Sequence, residues 1–247
     1  MERLIDIVAK LRSPDGCPWD REQTHGSIKR NLLEEAYEAA EAIEKGDAEL
    51  LREELGDVLM QVVFHADIEE KAGVFNLDDI ADAACKKLIR RHPHVFGGAA
   101  AENSGEVLEK WDSIKREEKR HETTADEMRS VAGTLPALWR AEKIQGKAAK
   151  SGFGRQEHSV GIEALQNGLL ELSCAIASGE GIAGRLGDML FSVVNVARFF
   201  GVDPEDALGL TCDKFISRFA LIESAARASG RGIDEMTLGE MGKLQDG

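Results

Sequence analysis

The 247-residue chain contains a single tyrosine and only five prolines. Strands draw on aromatic and β-branched residues, so a chain this poor in aromatics but rich in Ala, Leu, Glu and Lys favours helix over sheet. Cysteine is scarce as well. Cys17, Cys85, Cys174 and Cys212 are widely spaced and form no CxxC pair, which offers neither a zinc knuckle nor a thiol redox motif. With no secretory segment, free thiols in a reducing, cytoplasmic setting are expected. The start, Met1-Glu2-Arg3-Leu4-Ile5, lacks a basic stretch leading into an apolar run. No apolar run approaches the ~18 residues of a membrane span, so no membrane partner is expected. A basic excess is missing too: 31 Lys and Arg stand against 45 Asp and Glu, a net charge of −14. That balance argues against a nucleic-acid-binding surface.

What is present is ordinary for a globular protein, with 43% hydrophobic and 31% charged residues. The length suits two domains of about 100–120 residues. Apolar periodicity predicts a short helix over 1–12, with Leu4, Ile5, Val8 and Leu11 on one face. The turn-rich stretch Ser13 to Asp20 follows. Ser27 is read as the cap of a helix to about Lys45, broken by Gly46-Asp47. A second long helix is expected from about Ala48 to Lys71, a third from Asn76 or Asp78 to about Arg91, and another from Glu106 to Lys119. Residues 120–160 read as a connecting region with one helix near Ala137–Ala149 and a loose Ser151-Gly152-Phe153-Gly154.

From 161 the pattern repeats. Leu55-Gly56-Asp57-Val58-Leu59 is echoed by Leu186-Gly187-Asp188-Met189-Leu190, and Lys87-Leu88-Ile89-Arg90-Arg91 by Lys214-Phe215-Ile216-Ser217-Arg218. The expected fold is therefore all-α, built from tandem duplicated helical units: 1–119, the connector 120–160, and 161–247.

The informative stretch is Glu34-Glu35-x-x-Glu38, followed after fifteen residues by Glu54-x-x-Asp57. At about 100° per residue, Glu38 falls about 60° from Glu35, beside a stripe of Leu32, Ala39 and Ile43. On the next helix Asp57 stands in the same relation to Glu54, beside Leu51, Val58 and Val62. A short Gly46-Asp47 connection makes the two helices antiparallel neighbours, so the carboxylates converge if the stripes pack together. Gathered carboxylates are unfavourable uncompensated, and an all-oxygen set suits Mg²⁺ or Mn²⁺. On spacing alone, solvated helix faces remain the competing explanation. A di-iron bundle would need ExxH motifs, which neither Glu38 nor Asp57 provides. His65 lies on the Glu54 face but about 16 Å further along the axis.

This acidic pattern resembles the EExxE…ExxD signature of the MazG nucleoside triphosphate pyrophosphohydrolases. Gly16-Cys17-Pro18-Trp19-Asp20-x-x-Gln23-Thr24-His25, Arg90-Arg91-His92-Pro93-His94-Val95-Phe96, Trp111-x-x-Ile114-Lys115 and Leu135-Pro136-Ala137-Leu138-x-Arg140-Ala141-x-Lys143-Ile144-Gln145 also resemble that family, in its two-copy form. The resemblance implies MazG-like helical domains, a homodimer, and cleavage of nucleoside triphosphates to monophosphate and pyrophosphate. It implies that Glu35, Glu38, Glu54 and Asp57 hold Mg²⁺, with Glu34 taking a further ion or helping to activate water. Lys87 and Arg91, four apart on one helix face, match basic positions suited to phosphate. Lys29, beside Arg30, is a weaker candidate of the same kind. Trp111 is a candidate to stack on the base, with core packing as its alternative role. Cys17-Pro18-Trp19 is expected to shape the loop leading into the site.

The second copy departs from the pattern. Glu38 aligns with Glu171 and Asp57 with Asp188, but Glu34, Glu35 and Glu54 fall on Asn167, Gly168 and Arg185. Arg185 would take metal space and neutralise the remaining acids, so no catalytic metal is expected there. Three readings stay open: a pyrophosphohydrolase of broad ribo- and deoxyribonucleotide range, one restricted to a dUTP-like nucleotide or phosphoribosyl-ATP, and a non-catalytic helical protein whose acids hold a structural metal or a partner.

Overall fold

The computed structural model describes residues 1–98, 103–153 and 158–245, and among these there are helices but no strand. The chain divides into two compact units, Met1–Lys115 and Arg116–Gly247. Gly154 of the expected loose turn lies outside the described residues.

Unit 1 begins with α1 (Glu2–Leu11) and a short α2 (Pro18–Glu22), and is organised around the hairpin of α3 (His25–Lys45) and α4 (Ala48–Lys71). It continues through α5 (Leu77–Arg91) and α6 (Pro93–Phe96) to α7 (Ser104–Glu118), within which the division falls. Thr24, rather than Ser27, is the N-cap of α3. Ser27 sits at the third helical position of a capping box, its hydroxyl accepting from the Thr24 amide at 2.9 Å. Gly46 ends α3 at φ +65°, a left-handed conformation that glycine adopts without steric cost. The next residue, Asp47, caps α4 by accepting from the amides of Glu49 and Leu50 at 3.1 and 3.0 Å. One residue thus stops a helix and its neighbour starts another, which turns the chain back on itself. Asn76 and Asp79 form the capping box of α5, each accepting from the other's amide at 3.0 Å.

The core of unit 1 is the cluster Val8, Ile28, Val63 and Phe64, with Leu4, Ile5, Met60, Ile68 and Leu77 packed against it. Burying each large apolar side chain is worth about 1.5–3 kcal/mol, so this cluster holds α1, α3 and α4 together. The expected stripe on α3 is only partly buried: Ala39 is enclosed while Ile43 is 64% exposed.

A polar anchor supplements this core. Arg12, at the end of α1, donates from Nε to Asp67 of α4 at 2.5 Å, and both side chains are buried. Its Nη1 reaches the carbonyls of Asp20 and Gln23, at 2.5 and 3.3 Å, which ties the 13–23 segment down. Lys71 adds Nζ bonds to Asp67 at 2.8 Å and to the Arg12 carbonyl at 3.0 Å.

Unit 2 contains α8 (Thr124–Arg129), α9 (Ala137–Lys150), α10 (His158–Ser178), α11 (Ile182–Phe199), α12 (Pro204–Ala228), a 3₁₀ turn at Ile233–Glu235 and α13 (Leu238–Gln245). Its centre is again an antiparallel hairpin, α10 against α11, with glycines of positive φ at 179 and 181 in the connection. Asp203 caps α12 and also accepts the Trp139 indole N–H at 3.0 Å, fastening α9 to the start of α12.

Candidate metal and nucleotide site

The α3–α4 hairpin brings carboxylates from two helices face to face. One oxygen from each of Glu35, Glu38 and Glu54 lies within 4.8 Å of the others. Asp57, one turn after Glu54 and half-buried, completes the set electrostatically. Burial pushes the Glu35 carboxyl above its usual range, and the charges of Asp57, Glu38 and Glu54 push it the same way. Glu54 is raised by burial first, then by Glu38, Asp57 and Glu53. Glu38 of α3 thus approaches both Glu35 on its own helix and Glu54 on the facing one. Carboxyls that resist ionisation because of one another are stabilised by anything cationic placed among them. Three oxygens on rigid helices, with no nitrogen or sulfur, form a donor set suited to a hard divalent cation.

Glu34 is turned away from this group. Consecutive helical residues point about 100° apart, and its carboxylate accepts from Arg30 Nε at 2.7 Å on the exposed side of α3. Lys29 is exposed on α3 and Lys87 on α5. Arg91, one turn after Lys87, lies with its guanidinium over the Trp111 ring at 5.6 Å. His92 meets the same indole edge-on at 5.2 Å between centroids. Trp111 is therefore half-buried in a cluster with Arg91 and His92, and sequence spacing gives no sign of that grouping.

Sequence reading missed a second group in unit 1. His25 and His65 lie with nearly parallel rings, 5.0 Å between centroids and 7° between planes, and their Nδ1 atoms are 2.7 Å apart. His25 Nε2 meets the Glu69 carboxylate at 2.7 Å. With His25 Nε2 turned to Glu69, its Nδ1 faces His65 Nδ1. The buried His65 Nε2 then has no hydrogen-bond partner. Burial, and next the neighbouring His25, hold the His65 pKa below its ordinary value. The one available signal was that His65 shares the Glu54 face of α4.

In unit 2, Arg185 Nη1 lies 2.8 Å from Glu171 and 3.5 Å from Asp188. The two acids that align with Glu38 and Asp57 thus share an arginine.

The chain is similar to known proteins over most of its length. The profile of the MazG nucleotide pyrophosphohydrolase domain matches residues 23–96. The nucleoside triphosphate pyrophosphohydrolase/pyrophosphatase MazG of Thermotoga maritima is 41% identical over 237 residues, covering 96% of this chain and 91% of that one. The nucleoside triphosphate pyrophosphohydrolase of Escherichia coli K12 is 40% identical over 250 residues, 98% of this chain and 95% of its own. Uncharacterized protein YabN of Bacillus subtilis is 43% identical over 241 residues, 96% of this chain but 49% of that protein.

Proposed function

The chain belongs to the MazG nucleoside triphosphate pyrophosphohydrolases, and from that premise we propose that unit 1 performs the reaction at Glu35, Glu38, Glu54 and Asp57, with Mg²⁺ held among them. It is an enzyme that releases pyrophosphate from nucleoside triphosphates. The proposal adds the metal, the residues and the substrate range. One observation carries it: carboxylate oxygens from two facing helices lie within 4.8 Å, with ionisation resisted at Glu35 and Glu54.

Mg²⁺, or Mn²⁺ in its place, supplies charge neutralisation of the phosphates and a water of lowered pKa when bound. The protein's own part is positional. The i, i+3 spacing puts each acidic pair on one helix face, and helix–helix packing turns the two faces toward each other before substrate arrives. Glu34, outside the cluster and paired with Arg30 at 2.7 Å, is proposed to take a further ion or to help activate water. Arg91 and Lys87 are proposed phosphate contacts, with Lys29 a further cation on α3. Trp111, held by Arg91 and His92, is proposed to stack on the base. The substrate range is proposed to be broad, covering ribo- and deoxyribonucleotides. Residues 161–247 are proposed to be a second copy of 1–119, joined by the connector 120–160 and without a catalytic metal, a reading supported by the Arg185 contacts to Glu171 and Asp188.

A homodimer belongs to the same reading, supported by apolar side chains left exposed on the hairpin: Leu33, Tyr37, Leu55 and Leu59. So does a cytoplasmic location, in keeping with four unbridged cysteines. No described helix is long and apolar enough to cross a membrane.

The test is direct. Purified protein is given each of eight nucleoside triphosphates with Mg²⁺, and pyrophosphate is resolved from orthophosphate. Pyrophosphate plus monophosphate, abolished by EDTA and by Glu38→Ala with helicity retained, is the expected result. Turnover by Glu38→Ala at the wild-type rate would remove the site assignment. Activity on one nucleotide only would replace the broad range by a narrow one.

A further inference from the structure

Unit 2 contains an open cleft of about 540 Å³, lined by Glu142, Lys143, Gly146, Ala149 and Lys150 of α9 and by Arg198 of α11. The α9 residues recur at spacings of three and four, which places them on one helix face. Gly146 and Ala149 line the cleft without large side chains, and a Cβ added at Gly146 would meet open space. Lys143 and Lys150 stand at its two ends, about 10 Å apart along the axis. Lys143, Lys150 and Arg198 line it together with Glu142, in a chain whose net charge is −14.

Arg198 is held in place rather than swinging freely. Its Nη2 donates to Asn195 Oδ1 at 2.9 Å, and its guanidinium lies 4.8 Å from the Phe199 ring centroid. Its Nε–H is buried and has no hydrogen-bond partner. Held in this way, the guanidinium brings a fixed positive charge to the cleft.

Unit 1 shows what the position can hold instead. At the offset that pairs Asp57 with Asp188, Asp67 falls on Arg198. Asp67 is the buried carboxylate that takes both Arg12 and Lys71, at 2.5 and 2.8 Å. In unit 2 an arginine replaces that anion, and lysines stand on the facing helix. Lys150 has an ordinary role as a cation on the last turn of α9, where helix carbonyls are electronegative. That role does not account for Lys143, two turns earlier.

We infer that this cleft is an anion site, separate from the acidic centre, that takes a small phosphate-bearing molecule. A guanidinium offers paired N–H donors matched to phosphate oxygens, and the lysines add charge at either side. The volume is within the range of small-molecule sites. The inference concerns unit 2 and stands whether or not the acidic centre works as proposed.

The experiment titrates inorganic pyrophosphate into the full-length protein by calorimetry in EDTA. EDTA removes any metal that would hold phosphate at the acidic centre, and the Lys143 variant separates this cleft from the Lys87 and Arg91 contacts proposed in unit 1. The expected result is saturable binding, weakened about tenfold by Lys143→Ala, as for loss of one charge-assisted contact. Arg198→Ala should weaken it at least as much. Lys143 is exposed, so its variant is expected to melt like wild type, which separates lost binding from lost folding. No binding in EDTA, or wild-type affinity in Lys143→Ala, would overturn the inference.

Discussion

Replacing Asp67 with Ala removes the carboxylate on which Arg12 depends. The Arg12 and Asp67 side chains are 6% and 9% exposed, so water cannot take over the lost interaction. Breaking a buried pair by deleting one partner costs about 3–5 kcal/mol, because the remaining charge is left uncompensated. The Lys71 contact adds little, since the lysine is 46% exposed and such pairs are worth about 0–1 kcal/mol. Arg12 keeps the carbonyls of Asp20 and Gln23 and the face of Phe64, 5.8 Å away. Those neutral acceptors place the cost nearer 3 than 5 kcal/mol. At about 2–4 °C per kcal/mol for a chain of this size, the melting temperature should fall by about 6–12 °C. Asp67→Asn keeps the shape and one acceptor oxygen but loses the charge, so it should cost less, about 1.5–3 kcal/mol. Calorimetric melts of the full-length variants, checked by urea unfolding, measure both. A loss below about 1 kcal/mol in Asp67→Ala would show that the carbonyls alone suffice for Arg12, and the argument from buried charge would fail.

Other outcomes follow from the remaining groups. Glu35 and Glu54 have folded pKa values above the unfolded value of about 4.3, so without metal their stabilising contribution is complete at low pH and lost as pH rises through the folded values. Added Mg²⁺ should therefore raise the melting temperature more at neutral pH than near pH 5, and a gain independent of pH would contradict the coupling. For His65 the sign is opposite: its folded pKa lies below the unfolded ~6.5, so its contribution is present at neutral pH and lost as pH falls through that region. NMR titration of the His65 ring should give a midpoint below that of a free imidazole, and one at or above it would refute the assigned environment. In unit 2, Gly168→Glu with Arg185→Glu should increase the number of Mn²⁺ bound per chain. A Cβ at Gly168 meets Met189 only at ordinary contact distance, 3.8 Å, so unchanged stoichiometry could not be put down to a steric clash there.

The long helices of unit 1 were legible in the sequence because their signals are local, whereas the short helices at Pro18–Glu22, Pro93–Phe96 and Thr124–Arg129 were not. The 3.6-residue period, the Gly46-Asp47 break and the Asn76 cap all act within one or two turns, and the helices at 48–71 and up to Arg91 appear where that chemistry puts them. The i, i+3 spacing of Glu35 with Glu38 and of Glu54 with Asp57 is local as well, so the shared face of the acids could be read in advance. What the period cannot supply is the rotation and axial offset of one helix against another. Those follow from how Val8, Ile28, Val63 and Phe64 fill space together. Only that packing decided that Ile43 stays exposed while Ala39 is enclosed, that Arg12 meets Asp67 fifty-five residues away, and that His25 stacks on His65 across forty. Packing within unit 2 likewise decided that Arg198 ends with a buried, unanswered N–H. A side chain's partner across a helix interface depends on every volume between them, and no window of sequence contains that information.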